Sequence, residues 1–318
     1  MSLFVQQPAV LMTIQDGGRQ GYQRFGMPES GPMDWWAFRA ANLLVGNLPG
    51  AACVEAGFSS TEFYVEKYSL LAACGAGYRL FVNHRAMPLW MAFFGKPGDQ
   101  IRLEKASGGN WVYLAVEGGF QSQTWMGSRS MYPAAGLGKL LTAGDQLPFS
   151  ELFSERVIRA GRSIQKSLQP AYASQSRIRV IFGPHQTRFL QSSRETFLAG
   201  TYQVSTSSDR MGYRLKGPHL AHQDGADLVS QGMVLGAIQV PGDGNPIVMM
   251  PDHPTTGGYP CIATVARVDM PLLAQVEPGR GALHFCPIDV SAAQSAWVQM
   301  IQTLGTTETF QEDLCTGI

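Results

Sequence analysis

The sequence predicts a mainly β protein in which two β-barrels are joined, with a few short helices. Three observations support this fold class: short apolar runs dominate, glycine or proline turns separate them, and one turn pattern occurs three times. Such spacing is typical of barrels and sandwiches. The ten runs expected to form strands are 10–14, 70–73, 78–82, 89–93, 100–103, 111–116, 179–182, 233–240, 247–250 and 262–268.

The repeated turn is a glycine-containing triplet that leads into an alternating run. It occurs at 97–99, 143–145 and 278–280. A hairpin that recurs in this way indicates two similar barrels, although the spacing has no clean period.

Three helices are predicted. Asp34 is a suitable N-cap for a helix that continues to residue 45, and Gly46 is a suitable stop. The other two are expected over 187–198, before Gly200, and over 290–304, where apolar residues follow the 3.6-residue period.

The length of 318 residues favours two domains. Between residues 151 and 176 the composition changes to Ser, Gln, Arg and Lys without strand periodicity. We therefore expect an N-terminal barrel over 1–160, a linker over 161–177 and a C-terminal barrel over 178–318.

The charge balance limits the classes of partner. The 24 Lys and Arg residues offset the 24 Asp and Glu residues, and only 15% of the chain is charged. No net field therefore attracts nucleic acid or an anionic membrane, so small molecules or other proteins are the expected partners. A low charge also suits a protein that hides part of its surface in a complex.

Cysteine usage indicates a reducing compartment. The five cysteines are scattered, odd in number and never arranged as C-x-x-C, so neither a disulfide framework nor a metal site is predicted. The N-terminal residues lack a basic region, and no apolar run is long enough to span a bilayer. These observations predict a soluble, cytoplasmic protein.

The loop PDHPTTGGYP at 251–260 carries the strongest signal for ligand contact. Prolines stiffen the chain, whereas two adjacent glycines permit positive φ and let a ligand approach the backbone closely. The candidate residues of this loop are Asp252, Thr255, Thr256, Gly257, Gly258 and Tyr259. The alternative is a tight connection between two strands.

Two further loops carry arginine. In the first, Asp16, Arg19 and Arg24 lie among glycines and could bind a carboxylate or phosphate, or Asp16 and Arg19 could form a turn clasp. Neither a Walker A nor a dinucleotide-binding spacing is present. In the second loop, the candidate substrate contacts are Ser208, Asp209, Arg210, Tyr213 and Arg214.

A single amide, Gln239, lies in the apolar segment 232–244 and needs a partner there. That partner is either a ligand or, the more frequent case, a hydrogen bond within the core. The histidines lack a third metal ligand, and no arrangement of Ser, His and Asp or of Cys and His predicts nucleophilic catalysis.

Several motifs together resemble one family along nearly the whole chain. They are TIQDGGRQGYQRFGMPESGPMD at 13–34, AANLLVGN at 40–47 with Glu55, MGSRS at 126–130, SDRMGYRLKGP at 208–218, QGMVLGAIQVP at 231–241 and TTGGYP at 255–260. This pattern is similar to the allophanate hydrolase subunit 2 or KipA-like family, whose bacterial members include the C subunit of the ATP-dependent 5-oxoprolinase. The resemblance implies two cyclophilin-like β-barrels in tandem.

The resemblance also implies partners and a reaction. A KipI-like protein of related fold and a LamB/YcsF-like protein would act with this chain to open the lactam of 5-oxoproline with ATP. The same domain resembles the carboxyltransferase of urea carboxylase, which implies the alternative of a biotin-dependent transfer to a urea or allophanate-type amide. A non-catalytic regulator that binds a kinase or its inhibitor is a third hypothesis.

For the first hypothesis, the arginines at 19, 210 and 214 are expected to hold a carboxylate or phosphate. Thr255, Thr256 and the amides of the two glycines would stabilise developing oxyanion charge, while Asp252 or Asp209 would orient the small amide substrate. The chain departs from the family pattern at His253-Pro254, where Pro254 removes a backbone donor, so the substrate could differ from the usual one.

Overall fold

The computed structural model describes residues 1–150, 159–304 and 310–312. As predicted, the described chain is mainly β. The strands are β1 Ser2–Gln7, β2 Leu11–Gln15, β3 Cys53–Gly57, β4 Thr61–Val65, β5 Ser69–Gly75, β6 Tyr78–Val82, β7 Arg85–Met87, β8 Met91–Gly95, β9 Gln100–Lys105, β10 Trp111–Val116, β11 Gln146–Pro148, β12 Arg162–Ile164, β13 Gln175–Phe182, β14 Tyr202–Val204, β15 Gly212–Lys216, β16 Gln231–Gly232, β17 Ala237–Gln239, β18 Ile247–Met249, β19 Thr256–Gly257, β20 Cys261–Val265, β21 Ala282–Pro287 and β22 Phe310–Glu312. The α-helices are α1 Trp35–Leu44, α2 Gln191–Ala199, α3 Met270–Ala274 and α4 Val290–Thr303.

The first compact unit contains residues of Met1–Arg19, Ser30–Pro170 and Thr303–Ile318. Its strands form a six-stranded sheet in the order β11-β1-β4-β9-β6-β7 and a seven-stranded sheet in the order β2-β3-β10-β5-β8-β12-β22. One apolar cluster includes Phe63 and Ile101 from the first sheet and Val112 and Leu114 from the second, so the two sheets share a core. Tyr113 alternates to the opposite face, where its ring meets Phe38 of α1 edge to face at 5.9 Å.

The second compact unit contains Gln20–Glu29 and Ala171–Gln302. Seven of its strands form a closed barrel in the order β13-β20-β17-β18-β15-β14-β21. Its pairs are antiparallel except for β13 and β21, which run parallel. Strands β16 and β19 form a separate two-stranded element, which we call the flap.

The sequence-based elements agree with the structure in most places. Each of the ten predicted runs overlaps a strand, and the runs 78–82 and 111–116 coincide with β6 and β10. The run 233–240 forms a strand only over Ala237–Gln239, because Gly236 takes a φ of 80° that interrupts extended backbone. The three predicted helices are confirmed as α1, α2 and α4, and the short α3 was not predicted.

The repeated turn is confirmed in both units. Its central glycine takes a positive φ each time, and its N–H donates to a valine carbonyl. These pairs are Gly98 to Val65, Gly144 to Val5 and Gly279 to Val204, with φ values of 95°, 88° and 77° and N···O distances of 2.9, 2.8 and 2.7 Å.

The segment 161–177, predicted as a linker, contains paired strands. Strand β12 pairs with β8 and β22, and β13 begins at Gln175. The compact units divide after Pro170, inside this range, and Gln20–Glu29 belongs with the second unit. Residues so distant in sequence join one unit through strand pairing and packing, which a change in local composition does not reveal.

A buried hydrogen-bond network joins α1 to the seven-stranded sheet. The Tyr113 hydroxyl donates to Oε2 of Glu55 at 2.6 Å and accepts from the backbone N–H of Asp34, the N-cap of α1, at 2.8 Å. Oε2 of Glu55 also accepts from the N–H of Met33 at 2.8 Å. Burial, together with the nearby carboxylates, raises the pKa of Tyr113 well above its usual value, so the phenol stays protonated.

Replacing Tyr113 by phenylalanine is expected to lower the free energy of unfolding by about 1–3 kcal/mol, because the buried N–H of Asp34 loses this acceptor and the Glu55 carboxylate loses one of its donors. Urea denaturation followed by far-ultraviolet circular dichroism would measure the change. The matched control is Tyr64→Phe on β4, where the ring is 36% exposed. Equal stabilities for the two variants would contradict the structural role of this network.

Several predictions about composition can be compared with the described residues. Cys53, Cys74, Cys261 and Cys286 are free thiols, while Cys315 lies outside the described residues. Within the described ranges, no group of three or more His, Cys, Asp or Glu side chains is arranged to hold a metal ion. No helix in this part of the chain is long and apolar enough to cross a membrane.

Candidate functional site

The second unit contains a cavity of about 210 Å³ beside the flap. The TTGGYP loop contributes Gly257 and Tyr259 to the lining of this cavity. The full lining consists of Pro184, His185, Leu228, Gln231, Gly232, Met233, Val234, Ala237, Gly257, Tyr259, Cys261 and Thr264.

Strand pairing explains how the cavity forms. Ala237 of β17 lies opposite Thr264 of β20, and Gln239 lies opposite Cys261. Cross-strand partners share a face of the sheet, and Ala237, Thr264 and Cys261 from these pairs line one wall of the cavity. The N–H of Met233 donates to the carbonyl of Thr255 at 2.9 Å, which holds the two arms of the flap together beside that wall.

A buried ion pair anchors the start of the TTGGYP loop. Nε and Nη2 of Arg210 donate to the two carboxylate oxygens of Asp252 at 2.7 and 3.1 Å. The backbone N–H of Asp252 also donates to the carbonyl of Arg210 at 2.9 Å. The side chains are only 10% and 5% exposed. Neither residue lines the cavity, and the ion pair gives both a structural role; their contacts with substrate stay a prediction.

The next residues of the loop are also held by protein groups. Nδ1 of His253 lies 2.8 Å from the carbonyl of Pro254, and the His253 backbone N–H donates to the carbonyl of Met250. Thr256 and Gly257 form β19, so this part of the loop is itself a strand. Thr255, Thr256 and Gly258 are absent from the cavity lining.

The two glycines of the loop are needed for close approach. Neither Gly257 nor Gly258 uses the positive φ that glycine permits. A Cβ at Gly257 would lie 2.6 Å from Nε2 of Gln239, and a Cβ at Gly258 would lie 3.0 Å from the carbonyl oxygen of Leu228. The groups that approach these two glycines closely are therefore parts of the protein itself.

Gln239 has partners within the chain. Its Nε2 donates to the carbonyl of Tyr259 at 3.1 Å and contacts Sδ of Met233 at 3.3 Å. Of the two interpretations open from the sequence, the core hydrogen bond is the one observed. Gln239 is 5% exposed, and it contacts Met233 and Tyr259 beside the flap.

The second arginine loop, around residues 208–214, forms an internally bonded turn. Asp209 accepts from the N–H groups of Met211 and Gly212, and Ser208 accepts from the N–H of Arg214. The Arg214 side chain is exposed. Tyr213, predicted to bind substrate, is instead fully buried, and its hydroxyl donates to the carbonyl of Ala274 at 2.9 Å.

In the first unit, Asp16 and Arg19 form hydrogen bonds with the segment 128–130. Asp16 accepts from the Oγ atoms of Ser128 and Ser130 at 2.5 and 2.7 Å and from the N–H of Arg129 at 2.6 Å. Arg19 is 1% exposed and donates to the Ser130 carbonyl and, at 2.8 Å, to Oγ of Ser30. These contacts explain why MGSRS accompanies the glycine-rich start.

Arg24 belongs to the second unit and is exposed, with its guanidinium 4.7 Å from the centre of the Phe25 ring. It is absent from the lining of the cavity.

The residues that line the cavity carry no permanent charge. None of its lining residues is Asp, Glu, Lys or Arg, and His185, Tyr259 and Cys261 are the titratable ones. Burial raises the pKa of the Cys261 thiol above its usual value, and Sγ donates to the carbonyl of Ala263 at 3.1 Å. Cys261 is therefore a neutral thiol near pH 7 and a poor nucleophile.

His185 was missed by the sequence analysis. It follows β13 within a Gly-Pro-His turn, and the signal available was that strand-to-turn junction alone. The N–H of Gly183 donates to the carbonyl of Ile262 at 2.8 Å, and a Cβ at Gly183 would lie 2.6 Å from the carbonyl oxygen of Cys261. Because Gly183 has no side chain, the turn packs directly against β20. There the Cys261 N–H donates to Nδ1 of His185 at 3.2 Å.

A closed barrel with a largely apolar cavity and a few polar groups at its edge is typical of proteins that bind small molecules. Residues 25–287 match the family described as carboxyltransferase domain, subdomain A and B. The chain therefore belongs to this carboxyltransferase-domain family.

Two relatives of similar length are both named as the C subunit of a 5-oxoprolinase. The chain is 35% identical over 288 residues to the C subunit of Escherichia coli 5-oxoprolinase, a match that covers 89% of this chain and 90% of that protein. It is 31% identical over 271 residues to the C subunit of Haemophilus influenzae 5-oxoprolinase, covering 84% and 85% of the two chains.

A solved structure also shares the fold. The crystal structure of Kluyveromyces lactis urea amidolyase superimposes with a TM-score of 0.89 at 27% identity over 95% of this chain. The match covers 20% of the urea amidolyase chain, so this protein corresponds to one part of that longer enzyme.

Proposed function

We propose that this chain is the C subunit of a 5-oxoprolinase, a hydrolase that opens the lactam of 5-oxoproline to glutamate together with two partner proteins. The observation that carries the proposal is the 35% identity to a 5-oxoprolinase C subunit over about nine tenths of both chains. The cavity beside the flap supports it, because a small uncharged lining suits an amide ring.

The chemistry of lactam hydrolysis determines what the site must do. Water adds to the lactam carbonyl carbon, the C–N bond breaks, and the ring nitrogen gains a proton to become the amine of glutamate. Negative charge develops on the carbonyl oxygen in the transition state, so neutral hydrogen-bond donors aimed at that oxygen would lower the barrier.

ATP, which we propose the complex uses, does not fit the cavity of this chain. The lining contains no Lys or Arg to bind phosphates. We therefore propose that another surface or a partner protein binds ATP. Biotin enters only under the alternative function.

The partners proposed are a KipI-like protein and a LamB/YcsF-like protein, in the cytoplasm. Exposed apolar side chains near the cavity support a protein partner. Val229 is 87% exposed, Val234 is 58% exposed and Tyr259 is 42% exposed. Burying such side chains against another protein would stabilise a complex.

Reconstitution tests the proposal. The KipI-like and LamB/YcsF-like proteins with this chain, 5-oxoproline and ATP are expected to release glutamate, and the same mixture without this chain is expected to release none. Omission of the KipI-like or of the LamB/YcsF-like protein serves as the control for each partner. Glutamate release that persists without this chain would exclude the proposed role.

The structural similarity to urea amidolyase favours a second candidate, a biotin-dependent carboxyltransferase acting on a urea or allophanate-type amide. This function would require separate carboxylase and biotin-carrier proteins. Carboxylation of urea from carboxybiotin by the isolated chain would support it over the lactam-opening reaction. Binding to a kinase inhibitor, with neither activity, would instead indicate a regulatory protein.

A further inference from the structure

The tautomer of His185 follows from its hydrogen bond. Nδ1 accepts from the backbone N–H of Cys261 at 3.2 Å. A ring nitrogen that accepts a hydrogen bond carries no proton, so the neutral ring carries its proton on Nε2.

The Nε2–H group is available to a ligand. His185 borders the cavity and is half-buried. Among the residues that the structure describes, the side chain of His185 makes its hydrogen bond through Nδ1 only. A donor at the edge of an apolar cavity gains most when a ligand supplies the missing acceptor.

We propose that His185 binds the amide oxygen of the substrate through a neutral Nε2–H donor, and that the cavity takes the uncharged lactam ring and leaves the carboxylate outside. The lining without Asp, Glu, Lys or Arg supports the second half of the assignment. A charged group would lose its hydration there without gaining an ion partner.

The donor also has a place in the reaction. As the carbonyl oxygen becomes negative, its hydrogen bond to Nε2–H strengthens while the proton stays on the ring. A neutral imidazole is known to polarise carbonyl groups in this way in other enzymes. The identity of the ligand rests on the proposed function, whereas the tautomer and the location of the donor rest on the geometry.

The first test is nuclear magnetic resonance of the full chain with ¹⁵N-labelled histidine at about pH 7.5, above the usual pKa of histidine. The probe is 2-pyrrolidinone, the lactam ring without a carboxylate. We expect His185 to be neutral and protonated on Nε2, with ring signals that shift on titration with the probe. The His185→Gln spectrum identifies the signal. A proton on Nδ1, or unchanged signals at saturating probe, would overturn the assignment.

The second test compares variants in the reconstituted complex. His185→Ala is expected to raise the Kd for 2-pyrrolidinone about tenfold and to lower kcat about 100-fold. His185→Gln, which keeps an N–H donor, should recover part of both losses. His84→Gln is the matched control, because His84 is exposed in the first unit.

The outcomes separate the two proposals. If 2-pyrrolidinone binds at His185 but the complex does not hydrolyse 5-oxoproline, the assignment of the donor stands and the proposed function is wrong. If the complex hydrolyses 5-oxoproline and His185→Ala keeps both its kcat and its affinity for the probe, the assignment is wrong. The wild-type spectra, assigned with His185→Gln, keep the proposal testable even if His185→Ala does not fold.

Discussion

Replacing Arg210 by alanine is expected to lower the free energy of unfolding by about 3–5 kcal/mol. The substitution would leave the Asp252 carboxylate buried, with 5% of its side chain exposed, and without the two donors that now contact it. Asp252→Ala should cost a similar amount, since it leaves the guanidinium without its carboxylate. Urea denaturation monitored by fluorescence would measure both changes.

The chain offers a matched control four residues away. Arg214→Ala removes the same side chain type from an exposed position, so its effect should stay within about 0.5 kcal/mol. If Arg210→Ala and Arg214→Ala were equally stable, the ion pair would not anchor the loop, and the predicted contacts of Arg210 and Asp252 with substrate would be favoured instead.

Replacing Gly183 by alanine is expected to displace the turn that carries His185. The new Cβ would lie 2.6 Å from the carbonyl oxygen of Cys261 and 3.2 Å from the backbone nitrogen of Ala263. Both atoms belong to the paired strand β20, which cannot move freely, so the turn should move instead. We expect a loss of about 1–3 kcal/mol in unfolding free energy and about 100-fold lower kcat in the reconstituted complex.

Gly232→Ala is the matched control for this prediction. Gly232 also lines the cavity, but a Cβ there would meet nothing within 4 Å. Its unfolding free energy should therefore stay close to that of the wild type. A Gly183→Ala protein that kept the wild-type stability and His185 ring signals would show that β20 accommodates the methyl group.

The elements that could be predicted from the sequence depend on neighbours in the chain. Asp34 caps α1 by accepting from Trp36 and Ala37, two and three residues later. The turn before β9 closes locally, because the N–H of Asp99 donates to the carbonyl of Lys96 at 3.0 Å. Capping, turn conformation and apolar periodicity act over a few residues, so they could be identified without the fold.

The roles of the loop side chains depend on distant partners. Asp252 pairs with Arg210 across 42 residues, and Asp16 accepts from Ser130 across 114 residues. Each of these charged residues was a candidate for ligand contact, but the sequence could not distinguish a ligand from another part of the protein. His185 has its partner Cys261 76 residues away, and the strand-to-turn junction before it did not reveal that contact.

The sequence by itself determined the mainly β class, the three longer helices, the repeated turn and the family to which the chain belongs. The tertiary structure alone decided which polar groups are already satisfied within the protein and which donor borders the cavity. The physical reason is that a polar side chain is available to a ligand only if folding leaves it near a cavity without a protein partner. Folding pairs Asp252 with Arg210 and places His185 at the edge of the cavity.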